Sequence, residues 1–431
     1  MANFVSLPGF RDFYPEELAL RAHIMGVWRD VARRYGFQEY DGPPLEPVDL
    51  YIEKSGPEIV QQLYNFTDKG GREISLRPEM TPTLARMVGA RAGGMRKPIR
   101  WFSVPQLFRY ERAQRGRLRE HFQLNLDIVG EADVSADAEL LAAAIDILRA
   151  FGLTEADFVA RVSDRRLLRA LLLHAQVPED RLTQVYNIVD KLERDTRERI
   201  ADRLTTEAGL GPAVAEEVLG IFRYTTFEAV RNAYGATEGI GDEIARLRGF
   251  FDALDAMGLG GYVRFDLSVV RGLAYYTGIV FELFDARGEL RAIAGGGRYD
   301  QLLRQVAGVD LPALGFGMGD VVLGELLKDR GLLPETAPSV DFYLVAVTPE
   351  ERPAILALAH SLRDRGHSVD YSLRHQAVGK QLKSAAAVGA RHAVIVGPDE
   401  AAAGVAVVRA MGSGEELRVA LGEVGKGKGE E

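Results

Sequence analysis

The sequence predicts an α+β fold: an antiparallel sheet flanked by helices, with a helical insertion and a separate C-terminal α/β domain. Alternation of apolar and polar residues, the period of a strand, is strict from Phe122 to Ile128, and the sheet pattern resumes from Tyr262 to about residue 299. Between them, from about Leu167 to Ala256, helical spacing takes over and strand signals nearly vanish. From Asp341 onward the apolar runs DFYLVAV, HAVIV and GVAVVRA alternate with helical segments, as in a small α/β unit. These changes of pattern set the expected boundaries. Residues 1–166 and 257–328 form two parts of one domain, 167–256 the insertion, and 329–340 a linker around LLPETAPSV. Residues 341–424 form the C-terminal domain, and 425–431, GKGKGEE, a disordered tail.

In chain order, Pro15-Glu16-Glu17 opens a helix, with proline in the first turn and carboxylates at its positive end. Leu20, Ile24, Val27, Val31 and Tyr35 recur at helical spacing, and Gly36 can stop it. In FQEYDGPPLEP, Pro43 and Pro44 force an extended path suited to an edge or interface strand. Packing within its own domain and packing across a dimer both fit that pattern. EISLRPEMTPTLARMV reads as strand, turn and helix, with Arg77, Glu79 and Thr81 at the junction and Pro82 at the helix start. Residues 137–151 form an amphipathic helix through Leu140, Leu141, Ile145 and Leu148.

After the insertion, Val263, Phe265 and Leu267 alternate with Arg264, Asp266 and Ser268; Arg271-Gly272 breaks the strand, and Tyr275-Tyr276 precede another β-rich run. Gly295-Gly296-Gly297 removes side chains just before Arg298-Tyr299, which permits close approach of a ligand or a neighbouring strand. LPALGFGMGDVVLGELLKDRG is a glycine-interrupted strand leading into a helix, and it lacks the spacing of a dinucleotide fingerprint.

The chemistry concentrates in LFRYERAQRGRLREHFQLNLDIVG, residues 107–130. Gln123, Asn125 and Asp127 fall on one face of a strand, with Phe122, Leu124, Leu126 and Ile128 behind them. In the first half, Arg109 and Glu111 share a face opposite Phe108 and Tyr110. Paired as a hairpin, the halves set an Arg/Glu pair against an amide and carboxylate row, under a loop carrying Arg112, Arg115, Arg117 and Arg119. Guanidinium groups suit polyphosphate because they stay charged and bind oxygens bidentately. A cationic loop on a chain of net charge −9 points to a specific anion.

Composition narrows the rest. The chain has no cysteine, which excludes disulfides, thiolate metal sites and a cysteine nucleophile. Its seven histidines show no HxxxH or HExxH spacing, so no metal site is expected. MANFVSLPGFRD shows no charged region followed by an apolar run, and no apolar stretch is long enough to span a bilayer. Neither a secretory signal nor a membrane association is therefore expected.

Taken in order, these stretches resemble the histidyl-tRNA synthetases, a family of class II aminoacyl-tRNA synthetases, over essentially the whole chain. FRYERAQRGRLREHFQLNLDI looks like class II motif 2, which implies that Arg109 holds the ATP α-phosphate and the substrate carboxylate. Glu111, Arg117, His121 and Phe122 would then bind the nucleotide. LRPEMT resembles a histidine-pocket stretch and implies that Glu79 and Thr81, with Gln123, grip the α-amino group. RGLAYYTG resembles the family's RGL-YY signature and implies that Arg271 meets the α-phosphate during adenylation, while Tyr276, beside Tyr275, meets the imidazole with Asp127. GGGRYD places Tyr299 in the same pocket. The proline-marked strand is similar to motif 1, which implies a homodimer. KQLKSAAAVGARHAVIVGPDE resembles an anticodon-binding domain; by charge pattern, Arg374, His375, Lys380, Lys383 and Arg391 fit either a basic face for the anticodon stem or a solvated helix face. The resemblance further implies L-histidine, ATP with Mg²⁺, and tRNA(His) as substrates and partners, in the cytoplasm.

Four positions depart from the family pattern. Asp127 stands where a glutamate is usual, His121 where a phenylalanine stacks on adenine, Ala274 where an acidic residue is common, and Val322 where motif 3 carries the arginine that holds the γ-phosphate. Two readings follow: an active histidine–tRNA ligase, or a catalytically silent paralogue such as the regulatory subunit of ATP phosphoribosyltransferase.

Overall fold

The computed structural model describes residues 4–112, 116–192, 194–270, 275–334 and 340–426. The chain divides into two compact units, one of residues 1–12 with 21–333 and the other of 13–20 with 334–431. Helix α1 (Pro15–Arg34) carries Glu16 and Glu17 in its first turn and is followed by Gly36 in the left-handed region, φ 76°. Next come β1 (Gln38–Glu39), β2 (Leu45–Pro47), α2 (Val48–Ser55), β3 (Tyr64–Thr67), β4 (Glu73–Leu76) and α3 (Thr81–Gly89). Strands β5 (Ile99–Ser103), β6 (Gln106–Phe108) and β7 (Glu120–Val129), helix α4 (Val134–Ala150) and β8 (Phe158–Asp164) follow.

Among the described residues six α-helices form the insertion: α5 (Arg165–His174), α6 (Leu182–Val189), α7 (Arg197–Thr206), α8 (Pro212–Ile221), α9 (Phe227–Tyr234) and α10 (Gly241–Ala256). The sheet then resumes with β9 (Val263–Phe265), β10 (Ile279–Asp285), β11 (Ala294–Arg298), helix α11 (Leu302–Ala307), β12 (Ala313–Gly319) and α12 (Asp320–Asp329).

Among the described residues the main sheet has nine strands in the order β1-β5-β7-β12-β11-β10-β8-β9, with β6 also paired to β7. Its inner pairings are antiparallel, as the alternating pattern predicts. The outermost ones, β1 with β5 and β8 with β9, are parallel, so the sheet is mixed. The reason is connectivity, because parallel neighbours need a long crossover. The insertion is the crossover from β8 to β9. The strands flanking Pro43-Pro44 pair inside this unit, β1 with β5 and β2 with β4.

Helix α4 packs against β7, β11 and β12 and is covered by α10. Asp133 caps it by accepting the Ser135 amide. Its Leu140, Leu141, Ile145 and Leu148 are fully buried, and so are Ala142, Ala143 and Ala144, as expected of a helix apolar nearly all round. Each buried leucine contributes about 1.5–3 kcal/mol, so α4 is a main anchor beneath the site-bearing strands. Arg298, buried at the end of β11, is held by Asp137 of α4 and has no part in the pocket.

The second unit contains β13 (Phe342–Ala346), α13 (Arg352–Asp364), β14 (Val369–Tyr371), α14 (Val378–Ala387), β15 (His392–Val396), α15 (Pro398–Ala403), β16 (Val405–Ala410) and β17 (Glu416–Ala420). Its sheet runs β14-β13-β15-β16-β17. Phe342 and Leu344 pack toward α13, and Tyr343 and Val345 toward α14. A strand buried on both faces reads as the continuous apolar run DFYLVAV. Lys380 and Lys383 lie exposed on α14; Arg374 and His375 line a cavity of about 400 Å³ in this unit, and Arg391 pairs with Asp341.

Candidate active site

The site is built on β7. Leu124, Leu126 and Ile128 are buried on one face, while His121, Gln123, Asn125 and Asp127 line cavities on the other. The hairpin predicted for this stretch is present, since Gln106, Leu107 and Phe108 of β6 pair antiparallel with Phe122, His121 and Glu120. Beyond β6 the backbone pairing continues through the Arg109 amide, which donates to the Arg119 carbonyl at 2.9 Å. Register then places glycines of β12 across from the polar row, with Gly315 opposite Asp127 and Gly317 opposite Asn125. A Cβ at Gly315 would collide with the Asp127 carboxylate and lie 2.6 Å from the Tyr299 hydroxyl. The glycine-interrupted strand thus makes room for the polar groups above it.

Two cavities meet here. One, of about 180 Å³, has Glu79 and Thr81 at one end, the Gln123–Asn125–Asp127 row along its side, and Tyr275, Tyr276 and Tyr299 as an aromatic wall. The Tyr275 and Tyr276 rings lie 4.3 Å apart. The other, of about 150 Å³, is lined by Glu111, Gly116, Arg117, His121, Gly319 and Val322, among others. Arg109 lines both cavities, and its Nε donates to the Pro78 carbonyl at 3.0 Å.

The charges are tuned by their surroundings. Burial pushes the Asp127 carboxyl up to about 7, against a hydrogen bond from the Tyr299 hydroxyl and the nearby Lys54 charge. Burial also opposes ionisation of Glu79, but the ammonium of Lys54, bonded to it, and the Arg109 charge outweigh that and hold its pKa below the usual carboxylate range. Burial, with Arg109 next, lowers the His121 imidazole to about 4, so this ring is neutral at physiological pH. Gln123 donates to Asn125 at 2.8 Å, which fixes the amide row.

The structure brings together Glu79, Thr81, Arg109, Gln123, Asp127, Tyr275, Tyr276 and Tyr299 in the first cavity, and Arg109, Glu111, Arg117 and His121 in the second. Phe122 is the exception. Strand alternation turns it to the opposite face, where the Arg21 guanidinium lies 4.4 Å from its ring, and it lines neither cavity. Arg271, Ala274 and Arg115 lie outside the described residues. The arginine loop is less free than its composition predicts, for Arg117 pairs with Glu111 and Arg119 sits 4.7 Å over the Tyr110 ring.

Sequence reasoning missed Lys54. Its side chain is 4% exposed, bonded to Glu79 and 4.2 Å from the Tyr275 ring centre. Its signal was positional: it follows the buried Tyr51 by three residues on α2, hence on the same helix face. Among the described residues no group of three or more His, Cys, Asp or Glu is placed to hold a metal ion, and no helix is long and apolar enough to cross a membrane.

Fold and paired cavities define an aminoacyl-tRNA synthetase with an appended anticodon-binding domain. The family model described as histidyl-tRNA synthetase matches residues 9–319, and that described as anticodon binding domain matches 341–427. The chain belongs to the histidyl-tRNA synthetase family. It is 48% identical over 411 residues to the histidine–tRNA ligase of Opitutus terrae, covering 95% of this chain and 94% of that one. The histidyl-tRNA synthetase of Nostoc sp. PCC 7120 superposes with a TM-score of 0.83 at 24% identity, over 97% of both chains. A Bacillus halodurans protein described as an ATP phosphoribosyltransferase regulatory subunit/histidyl-tRNA synthetase gives 0.76 at 24% identity, over 91% of this chain and 98% of its own. These likenesses concern the fold alone, which both readings share. The sequence relatives separate them, and the chain is a ligase rather than a regulatory subunit.

Proposed function

We propose that this enzyme activates histidine with ATP to histidyl-adenylate and pyrophosphate, then transfers the histidyl group to the 3′ end of tRNA(His). The observation that carries the reading is Arg109, which lines both the pocket suited to an amino acid and the one suited to a nucleotide. In the first step a histidine carboxylate oxygen bonds to the α-phosphorus, the bond from that phosphorus to the bridging oxygen breaks, and the electron pair leaves with pyrophosphate. Such chemistry needs positioning and charge neutralisation more than proton transfer. Arg109 holds both reacting anions together. Glu79 and Thr81, with Gln123, receive the α-ammonium, and Asp127 and Tyr276 meet the imidazole nitrogens. Tyr299 orients Asp127 through its hydroxyl, and Tyr275 closes the wall. Neutral His121 offers a flat surface to adenine, while Glu111 and Arg117 flank the nucleotide. Arg271 completes the set at the α-phosphate. In the second step the terminal ribose hydroxyl attacks the histidyl carbonyl, the bond from that carbon to the phosphate oxygen breaks, and AMP departs as the hydroxyl proton passes to its phosphate or to water.

Mg²⁺ enters with ATP. Its ligands would be mostly phosphate oxygens, as is usual for this ion, and Glu111, which lines that cavity, would be the protein carboxylate available to it. The C-terminal unit, with Lys380, Lys383, Arg374 and His375 exposed, suits the anticodon stem. We further place the enzyme in the cytoplasm as a homodimer, with the proline-marked strand at the interface. Domain limits follow the sequence boundaries given above.

The test is histidine-dependent ATP–pyrophosphate exchange followed by charging of tRNA(His). Exchange and charging that require histidine are expected. Histidine binding without exchange would overturn the proposal.

Lys54 sets the pH dependence. Glu79 and Asp127 offer a full negative charge to the α-ammonium and the imidazole only when ionised, so kcat/KM for histidine is full above their pKa values and falls as pH drops through them. Removing the Lys54 charge raises both pKa values. In Lys54→Met the acid limb should therefore move upward, chiefly through Glu79, on which Lys54 acts most strongly. Lys54→Arg should restore most of it. An unmoved limb would show that Lys54 has no electrostatic role.

A further inference from the structure

The nucleotide cavity has an apolar wall where a polyanion would extend. Val322, in the first turn of α12, lines it and offers no charge. Three arginines of this region are engaged. Arg11 is paired with Glu120 and Asp320, Arg117 with Glu111, and Arg119 donates to the Glu111 carbonyl at 3.0 Å.

Arg291 differs. It is exposed, on the loop between β10 and β11, and makes no ion pair or hydrogen bond with a described residue. Its Cδ and the Val322 Cγ2 each lie 3.6 Å from the same point, the position a Cβ would take on Gly116 at the edge of the arginine loop. The loop that carries it is held in place. Asp285 accepts the Arg287 and Glu289 amides at 3.2 Å each, and the Ile293 amide donates to the Leu283 carbonyl at 2.7 Å. An exposed arginine on a braced loop thus packs against Gly116, which lines the nucleotide cavity together with Val322.

We propose that Arg291 is the cation that meets the β- and γ-phosphates of ATP, supplying from the β10–β11 loop the charge that Val322 cannot. The inference rests on the adenylation reading above. As the α-phosphorus passes to the histidine carboxylate, negative charge gathers on the departing pyrophosphate, and a bidentate guanidinium stabilises it there.

The experiment compares the wild type with Arg291→Ala in exchange and in direct binding of ATP and AMP. Exchange should fall about 100-fold in the variant. ATP should bind more weakly while AMP, which lacks the outer phosphates, binds as before. Adding Val322→Arg to Arg291→Ala should restore a large part of the exchange, a rescue that a merely structural loop residue would not allow. Unchanged exchange in Arg291→Ala beside an active wild type, or equal weakening of ATP and AMP, would overturn the inference alone. A wild type with no histidine-dependent exchange would overturn the adenylation reading and the inference with it.

Discussion

Arg109→Ala is expected to lower histidine-dependent pyrophosphate exchange by about 10³-fold or more, with little change in the folded state. Removing one preorganised donor from a developing charge costs about 10²–10³ in rate. Arg109 has two such tasks, because its side chain borders both cavities and is proposed to hold the attacking carboxylate and the α-phosphate. Its placement is rigid: the main chain pairs with Arg119 and the Nε with the Pro78 carbonyl. Lysine at this position should recover little, since a point charge cannot reproduce a planar fork shared between two anions. Exchange rates, with circular dichroism as the check on folding, decide the matter. A variant retaining more than about a tenth of the wild-type rate would remove Arg109 from the centre of the mechanism.

Gly315→Ala should reduce kcat/KM for histidine by about 10²-fold or more, although alanine is the smallest possible change. The added methyl would overlap the Asp127 carboxylate and stand 2.6 Å from the Tyr299 hydroxyl and 2.8 Å from the Leu126 carbonyl oxygen. Backbone on a central strand cannot retreat, so Asp127 and Tyr299 must. A displacement of about 1 Å in groups that orient a substrate can cost about 10²-fold, while overpacking itself costs about 1–3 kcal/mol of stability. The effect should be specific: ATP binding stays near normal because the second cavity does not include Gly315. Titration with histidine and with ATP separates the two. Equal loss of both ligands would show a general collapse of β12 rather than damage to the amino-acid pocket.

Much of this architecture was legible in the sequence because its patterns were dictated by burial. Gln123, Asn125 and Asp127 could be assigned to one face from period two alone, and their apolar neighbours are buried behind them. The insertion was visible because six helices without strands leave no alternation. What escaped was set by neighbours distant in the chain. The position of Lys54 one turn after Tyr51 gives its helix face but not its burial against Glu79, because a lysine beside an apolar residue usually reaches solvent. The parallel outer pairings were equally hidden, since they join strands far apart in the chain. Phe122 was assigned to the nucleotide by its proximity to His121, yet adjacent residues of a strand face opposite ways, and its partner became Arg21.

The path from β8 to β9 through six helices also bears on how the protein is made. Both sheet neighbours of β8, β9 and β10, lie beyond the insertion in the chain. As the nascent polypeptide emerges, β8 therefore has neither flank covered until the whole helical segment has been synthesised. An unpaired strand edge is a template for association with other chains, and incompletely folded proteins of this size are prone to such encounters. Helices α6, α7 and α8 of the insertion contact one another in chain order and can form early, shortening the gap that the chain must close. The interval between synthesis of β8 and arrival of its partners is thus the stage of biogenesis at which a chaperone would matter most.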